Sequence, residues 1–281
     1  MTKAINVFSM FDGMSCGQLA LKKAGIKVNT YHASEIDKYA MSITKKNFPS
    51  TLQMGDITKL EDWRLELIKD EIGIDLVIGG SPCQGFSFAG NQLNFEDTRS
   101  KLFFDFVRVL KILKPKYFLL ENVRMKKESQ DIISKYLGVE PRVFNSNKAS
   151  AQNRHRLYWF NWEVDELEDK GIVLADILED GVTDREKSHC LDANYFKGGN
   201  LKSYFQKHRR QLVFTSGAFR GRYNSEGKTE QKLELRYDGK TNSLTTVQKD
   251  NVAVDLKELT WRILSVKECE SLQTVPDWYT E

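Results

Sequence analysis

Cys83 follows a proline in the stretch DLVIGGSPCQGFSFAG, which runs from Asp75 to Gly90. The apolar run before Cys83 predicts a buried strand, and the glycines and serines around it indicate a polar loop at the end of that strand. A free cysteine is most often a small buried hydrophobic residue, but an accessible thiolate is a nucleophile. The polar loop favours the nucleophile, so Cys83 is a candidate catalytic residue.

Glu121 is the second candidate and belongs to KYFLLENV, residues 116 to 123, which predicts another buried strand. An unpaired carboxylate is costly to bury, so Glu121 needs a partner or a proton. Neighbouring parallel strands present their carboxyl ends at one edge of a sheet. We therefore expect Cys83, after the fourth predicted strand, and Glu121, after the fifth, to project into one crevice.

The elements that would position these two residues alternate between strands and helices. This alternation predicts an α/β fold with a doubly wound, mostly parallel sheet, whose ligands bind at the carboxyl ends of the strands. Apolar runs and amphipathic periodicity predict strands at 5–11, 28–34, 74–80, 116–123 and 156–162, and helices at 17–25, 38–48, 102–114 and 129–138.

Three acidic residues follow successive predicted strand ends. Asp12 lies in FDGMSCG, a glycine-bearing turn that lacks the G-x-G-x-x-G pattern of dinucleotide sites. An acid there would repel a pyrophosphate, which favours the cationic, phosphate-free cofactor S-adenosylmethionine. Glu35 could accept hydrogen bonds from ribose hydroxyls, and Asp56 from an adenine amino group. Each acid alone is more typical of a turn or a helix cap, but together they predict a nucleoside pocket.

The 281 residues, of which 40% are hydrophobic, suffice for one large domain with an insert. The alternation of strands and helices stops at about residue 162 and gives way to glycines and short polar segments. Ser265 and Glu268 then form a capping-box pattern that opens a short helix. We expect a catalytic and cofactor-binding domain at 1–161, a smaller irregular domain at 162–255, and a return segment at 256–281 that packs on the first domain.

The net charge of +3 is unevenly distributed along the chain. Residues 197 to 240 contain eleven Lys or Arg against four Asp or Glu, with aromatic residues between them. Such a stretch is either a solvated face or a surface for nucleic acid, and the interleaved aromatics favour nucleic acid.

Targeting signals and metal patterns do not stand out. No apolar run reaches the roughly 18 residues of a membrane span, and the N-terminus reads as a strand rather than a signal peptide. The four cysteines are scattered and form neither a zinc pattern nor a disulfide framework. We expect a cytoplasmic protein with no membrane partner and no bound metal.

Six segments resemble, in order, the motifs of the DNA cytosine-5 methyltransferase family. They are FDGMSCG, SPCQGFS, ENV (121–123), QNRHR (152–156), NSLTTVQ (242–248) and RILSVKECESLQTVPDWY. The match covers most of the chain, and residues 1 to 160 look most like the de novo-type and the bacterial or phage members. Ser15 stands where many bacterial members have glycine. The resemblance implies a Rossmann-like, S-adenosylmethionine-dependent fold, with a target-recognition domain at 162–255.

The resemblance also implies the reaction, which is methylation of C5 of cytosine in a specific sequence of double-stranded DNA, as in restriction–modification systems. Cys83 would add to C6 of a flipped-out base, Glu121 would hold N3, Arg156 would contact the cytosine and Arg154 would organise the site. A monomer would act on the DNA. The resemblance assigns the cofactor to Phe11, Gly13, Glu35, Ile36, Asp56, Ile57, Pro82 and Leu102, and the DNA to Gln84, Ser87, Arg220, Arg222, Thr245 and Thr246.

Departures from the family pattern leave alternatives open. The family normally ends in a Gly-Asn-x-Val motif that lines the cofactor pocket, and none follows QTVPDWY here. We expect a natural protein that is longer or split into two polypeptides, or else a chain that is poorly active alone. One family branch with the same motifs methylates transfer RNA, and a non-catalytic DNA-binding protein could keep the fold. Cys83 and Glu121 together argue against the non-catalytic alternative, and Asp12 argues against a dinucleotide oxidoreductase.

Overall fold

The computed structural model describes residues 3–81, 98–181, 183–214, 216–223, 229–236 and 261–281. Within these ranges, only the backbone is described at 98–101, 203, 216–223 and 229–236. Six of the predicted site residues lie outside the described residues, namely Pro82, Cys83, Gln84, Ser87, Thr245 and Thr246. Of the helices that are described, none is both long and apolar enough to cross a membrane.

The chain divides into two compact units. The sheet unit consists of Met1–Asn145, His155–Glu166 and Tyr279–Glu281, and the insert unit consists of Ser146–Arg154 and Leu167–Trp278. These bounds differ from the expected ones in three places, the first of which is that residues 162–166 belong to the sheet unit. Residues 146–154 belong to the insert unit, and so does most of the expected return segment, because the strand at 261–263 pairs within that unit. Only the last three residues return to the sheet unit.

The sheet unit is built on a seven-stranded sheet with helices on both sides. Its strands are β1 (Ile5–Met10), β2 (Val28–Ser34), β3 (Leu52–Gln53), β4 (Leu76–Gly79), β5 (Tyr117–Val123), β6 (Arg142–Asn145) and β7 (His155–Phe160). Its helices are α1 (Cys16–Lys23), α2 (Lys38–Asn47), α3 (Asp62–Glu71), α4 (Thr98–Leu113) and α5 (Lys127–Leu137). The strand order is β3-β2-β1-β4-β5-β7-β6.

Strands β1 to β5 are parallel, whereas β7 runs antiparallel to both β5 and β6. The predicted α/β fold with a mostly parallel sheet is therefore confirmed, and each predicted strand and helix corresponds to an observed element. The strand expected before Asp56 corresponds to the short β3, whereas helix α3 and strand β6 were not predicted. Only Leu65 and Ile68 are buried in α3, so its apolar pattern is weak.

Both faces of the sheet are buried, and strand β1 shows this directly. Val7 joins a cluster with Leu21 and Tyr31, while the adjacent Phe8 joins a larger cluster with Phe106 on the other face. Burying a side chain such as Leu or Phe stabilises a fold by roughly 1.5–3 kcal/mol. This two-sided burial fixes the register of the strands whose ends carry the candidate site.

The insert unit contains two antiparallel strand pairs and short helices. They are β8 (Leu212–Phe214) with β11 (Trp261–Ile263), β9 (Ser216–Tyr223) with β10 (Thr229–Arg236), α6 (Leu201–Lys207) and α7 (Val266–Leu272). The predicted capping box is confirmed at α7, where the Glu268 N–H donates to Ser265 Oγ and the Ser265 N–H to Glu268 Oε2. Arg262 also pairs with the fully buried Glu268 at 2.7 Å.

Candidate active site

The candidate site residues of the sheet unit gather where the parallel strands end. Residues 11–15 follow β1, Glu35 follows β2, Asp56 follows β3, and Gly80 with Ser81 follows β4. Glu121 differs from the expectation because it lies within β5 rather than after it. Since β7 is antiparallel to β5, its first residues reach this same edge.

Glu121 and Arg156 form an ion pair on this edge, with Arg156 Nε 2.9 Å from Glu121 Oε1. The pair is diagonal across the strands, because Arg156 is opposite Val123, two residues beyond Glu121. The side chains are 31% exposed for Glu121 and 15% for Arg156. The carboxylate is thus oriented by a cation yet accessible to a ligand.

Gly80 makes room for the Glu121 carboxylate. A Cβ atom at position 80 would lie 3.1 Å from Glu121 Oε2, which is closer than an ordinary van der Waals contact. Gly80 also stands three residues before Cys83 in the sequence. The carboxylate therefore borders the segment that leads directly to the predicted nucleophile.

Asn122 holds the next residue of that segment and was not among the predicted site residues. Its buried Nδ2 donates to both the carbonyl oxygen and the Oγ of Ser81, each at 3.2 Å, and its Oδ1 accepts from the Val123 N–H at 2.8 Å. The signal for Asn122 was present in the sequence, as the middle residue of ENV. Asn122 of β5 thus fixes Ser81, which stands two residues before Cys83 in the sequence.

Asp12 points into the protein rather than into the pocket. Its carboxylate accepts hydrogen bonds from Ser9 Oγ at 2.5 Å, from Tyr31 Oη at 2.8 Å and from Ser15 Oγ. Burial raises the pKa of Asp12 above its ordinary value. The expectation that this acid repels a pyrophosphate therefore loses its basis, because the buried carboxylate faces three hydroxyl groups instead.

Glu35 is held by backbone donors just beyond β2. Its Oε2 accepts from the Gly13 N–H at 2.7 Å, and its Oε1 accepts from the N–H groups of Ile36 and Asp37 at 2.7 and 2.9 Å. The Ile36 side chain beside it is 74% exposed. A fixed acceptor next to an exposed apolar side chain has the features that a nucleoside requires, with hydroxyls for the acid and a base for the apolar surface.

The predicted adenine-binding segment begins at Asp56, which caps a short 3-10 helix. Hydrogen bonds from Thr58 are the main cause that lowers the pKa of Asp56. The side chain of Ile57 is in the hydrophobic core, so any ligand contact from it would come through the backbone. Arg108 of α4 fixes this helix by donating to the carbonyl oxygens of Ile57 and Leu60 at 2.8 and 2.9 Å.

The other predicted residues are distributed as follows. Phe11 packs against the core of the sheet unit, and Leu102 lies partly buried on α4. Arg154 belongs to the insert unit, where its Nη1 donates to Cys190 Sγ at 3.6 Å. Arg220 and Arg222 occupy alternate positions of β9, opposite Lys232 and Glu230 of β10.

Comparison with known proteins identifies one family over almost the whole length of the chain. The model of the C-5 cytosine-specific DNA methylase family matches residues 5–281. The Type II methyltransferase M.HgiCI of Herpetosiphon aurantiacus is 38% identical over 76% of this chain and 48% of its own length. M.Eco47II of Escherichia coli is 28% identical over 98% of this chain and 72% of its own length.

Among solved structures, a prophage-encoded E. coli protein described as a DNA modification methyltransferase matches with a TM-score of 0.54. That match has 21% sequence identity and covers 98% of this chain and 90% of the other, which supports the fold alone. The chain spans less than half the length of most of the curated relatives that it matches. On the family model and these relatives, the chain belongs to the C-5 cytosine-specific DNA methylase family.

Proposed function

We propose that this chain carries the catalytic core of a methyltransferase that transfers the methyl group of S-adenosylmethionine to C5 of cytosine in a specific DNA sequence. The observation that carries the proposal is the Glu121 carboxylate, oriented by Arg156 and bordered by Gly80, which leads into Pro82 and Cys83. A carboxyl group fixed next to the backbone that leads into a Pro-Cys sequence suits covalent activation of a pyrimidine ring.

The chemistry follows from the weakness of cytosine C5 as a nucleophile. The Cys83 thiolate adds its sulfur to C6 as the C5–C6 double bond opens, and N3 takes up a proton from water that hydrogen-bonds to the Glu121 carboxylate, which offsets the charge that the addition places on the ring. After methylation at C5, transfer of the C5 proton to water restores the C5–C6 double bond, releases the N3 proton and expels the Cys83 thiolate. Arg156 keeps the Glu121 carboxylate in place through these steps.

The residues at the ends of β1 to β3 fit S-adenosylmethionine, which supplies an electrophilic methyl group when it is bound. Glu35 offers two oriented carboxylate oxygens to ribose hydroxyls, and the exposed Ile36 offers apolar surface to the adenine. Asp56 offers an acceptor for the adenine amino group, and Phe11, Gly13 and the backbone of Ile57 are further proposed contacts. Leu102 and Pro82 complete the proposed pocket.

The insert unit is proposed to recognise DNA. The support comes from the basic composition of residues 197–240 and from exposed aromatics such as Phe196, whose side chain is 76% exposed with Lys197 over its ring. Arg154 is proposed to organise the catalytic site. Arg220, Arg222, Thr245 and Thr246 are the proposed DNA contacts from this part of the chain, and Gln84 and Ser87 are the proposed contacts from the segment after Cys83. Their contacts with the DNA around the flipped base would offset the free energy of base flipping, which is about a few kcal/mol.

The proposal is tested by expressing the protein in a host that lacks cytosine methylation and sequencing its bisulfite-treated DNA. We expect 5-methylcytosine in one sequence context, and none when Cys83→Ser is expressed at the same level. Purified protein is then assayed with labelled S-adenosylmethionine on duplex DNA and on transfer RNA. Methylation confined to transfer RNA, or equal activity of the Cys83→Ser variant, contradicts the proposal.

A further inference from the structure

The loop from Phe11 to Ser15 has an unusual backbone. Phe11, Gly13 and Ser15 all have positive φ values, of 55°, 58° and 60°. Two of the three are not glycine, and such residues rarely adopt this left-handed conformation. The surrounding structure must therefore hold the loop in place.

The buried side chain of Asp12 fixes the loop through hydrogen bonds. Its carboxylate accepts from Ser9 of β1, from Tyr31 of the neighbouring β2 and from Ser15 at the end of the loop. Its backbone adds two bonds, from the Asp12 N–H to the Ser34 carbonyl and from the Ser15 N–H to the Asp12 carbonyl, each at 3.2 Å. One side chain thus joins both strands to the far end of the loop.

The loop in turn fixes Glu35. The left-handed residue at its centre, Gly13, donates its N–H to Glu35 Oε2 at 2.7 Å, so the position of that donor sets the orientation of the carboxylate. Asp12 does not contact Glu35 by any hydrogen bond in the described residues, and its effect would travel through the backbone of the loop. We propose that Asp12 is a positioning residue, which orients Glu35 toward the ribose hydroxyls of the cofactor. This inference rests on the proposed function.

The structure offers two variants of different severity. Asp12→Asn keeps the shape of the side chain but places an amide N–H₂ where hydroxyl donors converge. Tyr31→Phe removes only one of these donors and leaves the carboxylate and the loop sequence unchanged. If Asp12→Asn does not fold, Tyr31→Phe tests the same path with less disturbance. Asn6→Ala, which removes side-chain bonds to Ile72 and Gly73 at the opposite end of β1, is the matched control.

The experiment compares S-adenosylhomocysteine with its 2′,3′-dideoxy counterpart by calorimetry, alongside melting temperatures. We expect Asp12→Asn to weaken binding of the ribose-bearing ligand about tenfold, and Tyr31→Phe about threefold, with little change for the dideoxy ligand. In a cycle with Glu35→Gln, the double variant should bind no more weakly than Glu35→Gln alone, within about threefold.

Four outcomes would overturn the inference. Equal weakening of both ligands would show a general loss of the pocket, and additive effects of Asp12→Asn and Glu35→Gln would show that Asp12 does not act through Glu35. Unchanged binding in both Asp12→Asn and Tyr31→Phe would show that the hydrogen bonds of Asp12 are not needed to orient Glu35. If the wild-type protein binds neither ligand, the proposed function is contradicted, and the inference with it. If the wild type binds normally and the variants bind equally well, only the inference about Asp12 fails.

Discussion

Arg156 reaches Glu121 diagonally across two antiparallel strands, with 2.9 Å between Nε and Oε1. The carboxylate is therefore oriented by a residue that lies far away in the sequence but next to it in the sheet. Lysine at position 156 would keep the charge but lose the planar guanidinium that fixes this geometry.

We expect Arg156→Lys to lower the rate of methyl transfer about tenfold to a hundredfold, since misplacing a catalytic group is costly even when its charge is kept. Single-turnover methylation with saturating DNA measures this rate. Arg142→Lys on β6 is the control, because Arg142 donates to the Val164 carbonyl rather than to the site. Equal rates for wild type and Arg156→Lys would exclude an orienting role.

Gly79 and Gly80 should respond differently to alanine. A Cβ at position 80 meets the Glu121 carboxylate at 3.1 Å, whereas a Cβ at position 79 meets the Phe106 ring at 2.9 Å in the core. We expect Gly80→Ala to reduce turnover with little change in melting temperature, and Gly79→Ala to cost about 1–3 kcal/mol of stability by overpacking. The same change in both properties for both variants would contradict this division.

DNA containing 5-fluorocytosine at the target base should trap the protein covalently, because fluorine at C5 cannot leave as a proton does. A denaturing gel should show a slower band with the wild type and none with Cys83→Ser, since a serine hydroxyl is a far weaker nucleophile. Peptide mass mapping should place the attachment on Cys83. A complete lack of trapping, on DNA that the protein is known to methylate, would rule out addition to C6.

Charge reversal of Arg220 and Arg222 should weaken DNA binding and flatten its dependence on salt. Each lost phosphate contact lowers the slope of log K against log salt by about 0.9. Binding titrations at several salt concentrations give the slope, and cofactor binding should stay unchanged. Charge reversal of Lys22 and Lys27 in the sheet unit changes the net charge equally and is the control. If both double variants have the same slope of log K against log salt, Arg220 and Arg222 do not contact DNA specifically.

His189 should make the insert unit sensitive to acid. Burial, together with the nearby Arg185, lowers the pKa of His189 to about 4, whereas in the unfolded chain it is about 6.5. The unfolded state therefore binds more protons between these values, and stability contributed by neutral His189 is lost as the pH falls from about 6.5 toward 4. Hydrogen exchange of residues 185–207 at several pH values should show this loss. His189→Gln should make the stability of the insert unit less dependent on pH. If the variant loses stability with falling pH as steeply as the wild type, His189 is not the cause.

The sequence predicted the strands and helices around the candidate site better than the side-chain contacts within it. The bounds of β2 match the prediction residue for residue, and the Ser265–Glu268 capping box is present as expected, because the patterns that indicate both are visible in a short stretch of sequence. The pair of Glu121 with Arg156 depends on β7 running antiparallel to β5, and periodicity does not encode strand direction. Asp12 shows the same limit, since its side-chain direction depends on Tyr31 of another strand.

Ser15 illustrates how a departure from a family pattern acquires a physical meaning. Its φ of 60° is a conformation that glycine adopts without cost, and serine is tolerated here with its hydroxyl bonded to Asp12. The roles assigned to Cys83 and to the DNA contacts remain predictions that the experiments above address.

The path of the chain between the two units has a consequence for modularity. It crosses between them four times, after Asn145, Arg154, Glu166 and Trp278, and β7 is the short sheet segment that separates the two pieces of the insert unit. A single proteolytic cut cannot release the insert unit, because each piece stays joined to the sheet unit by peptide bonds. A laboratory exchange of target specificity would have to transplant both pieces, and leaving residues 146–154 behind would make a hybrid whose two pieces never evolved together.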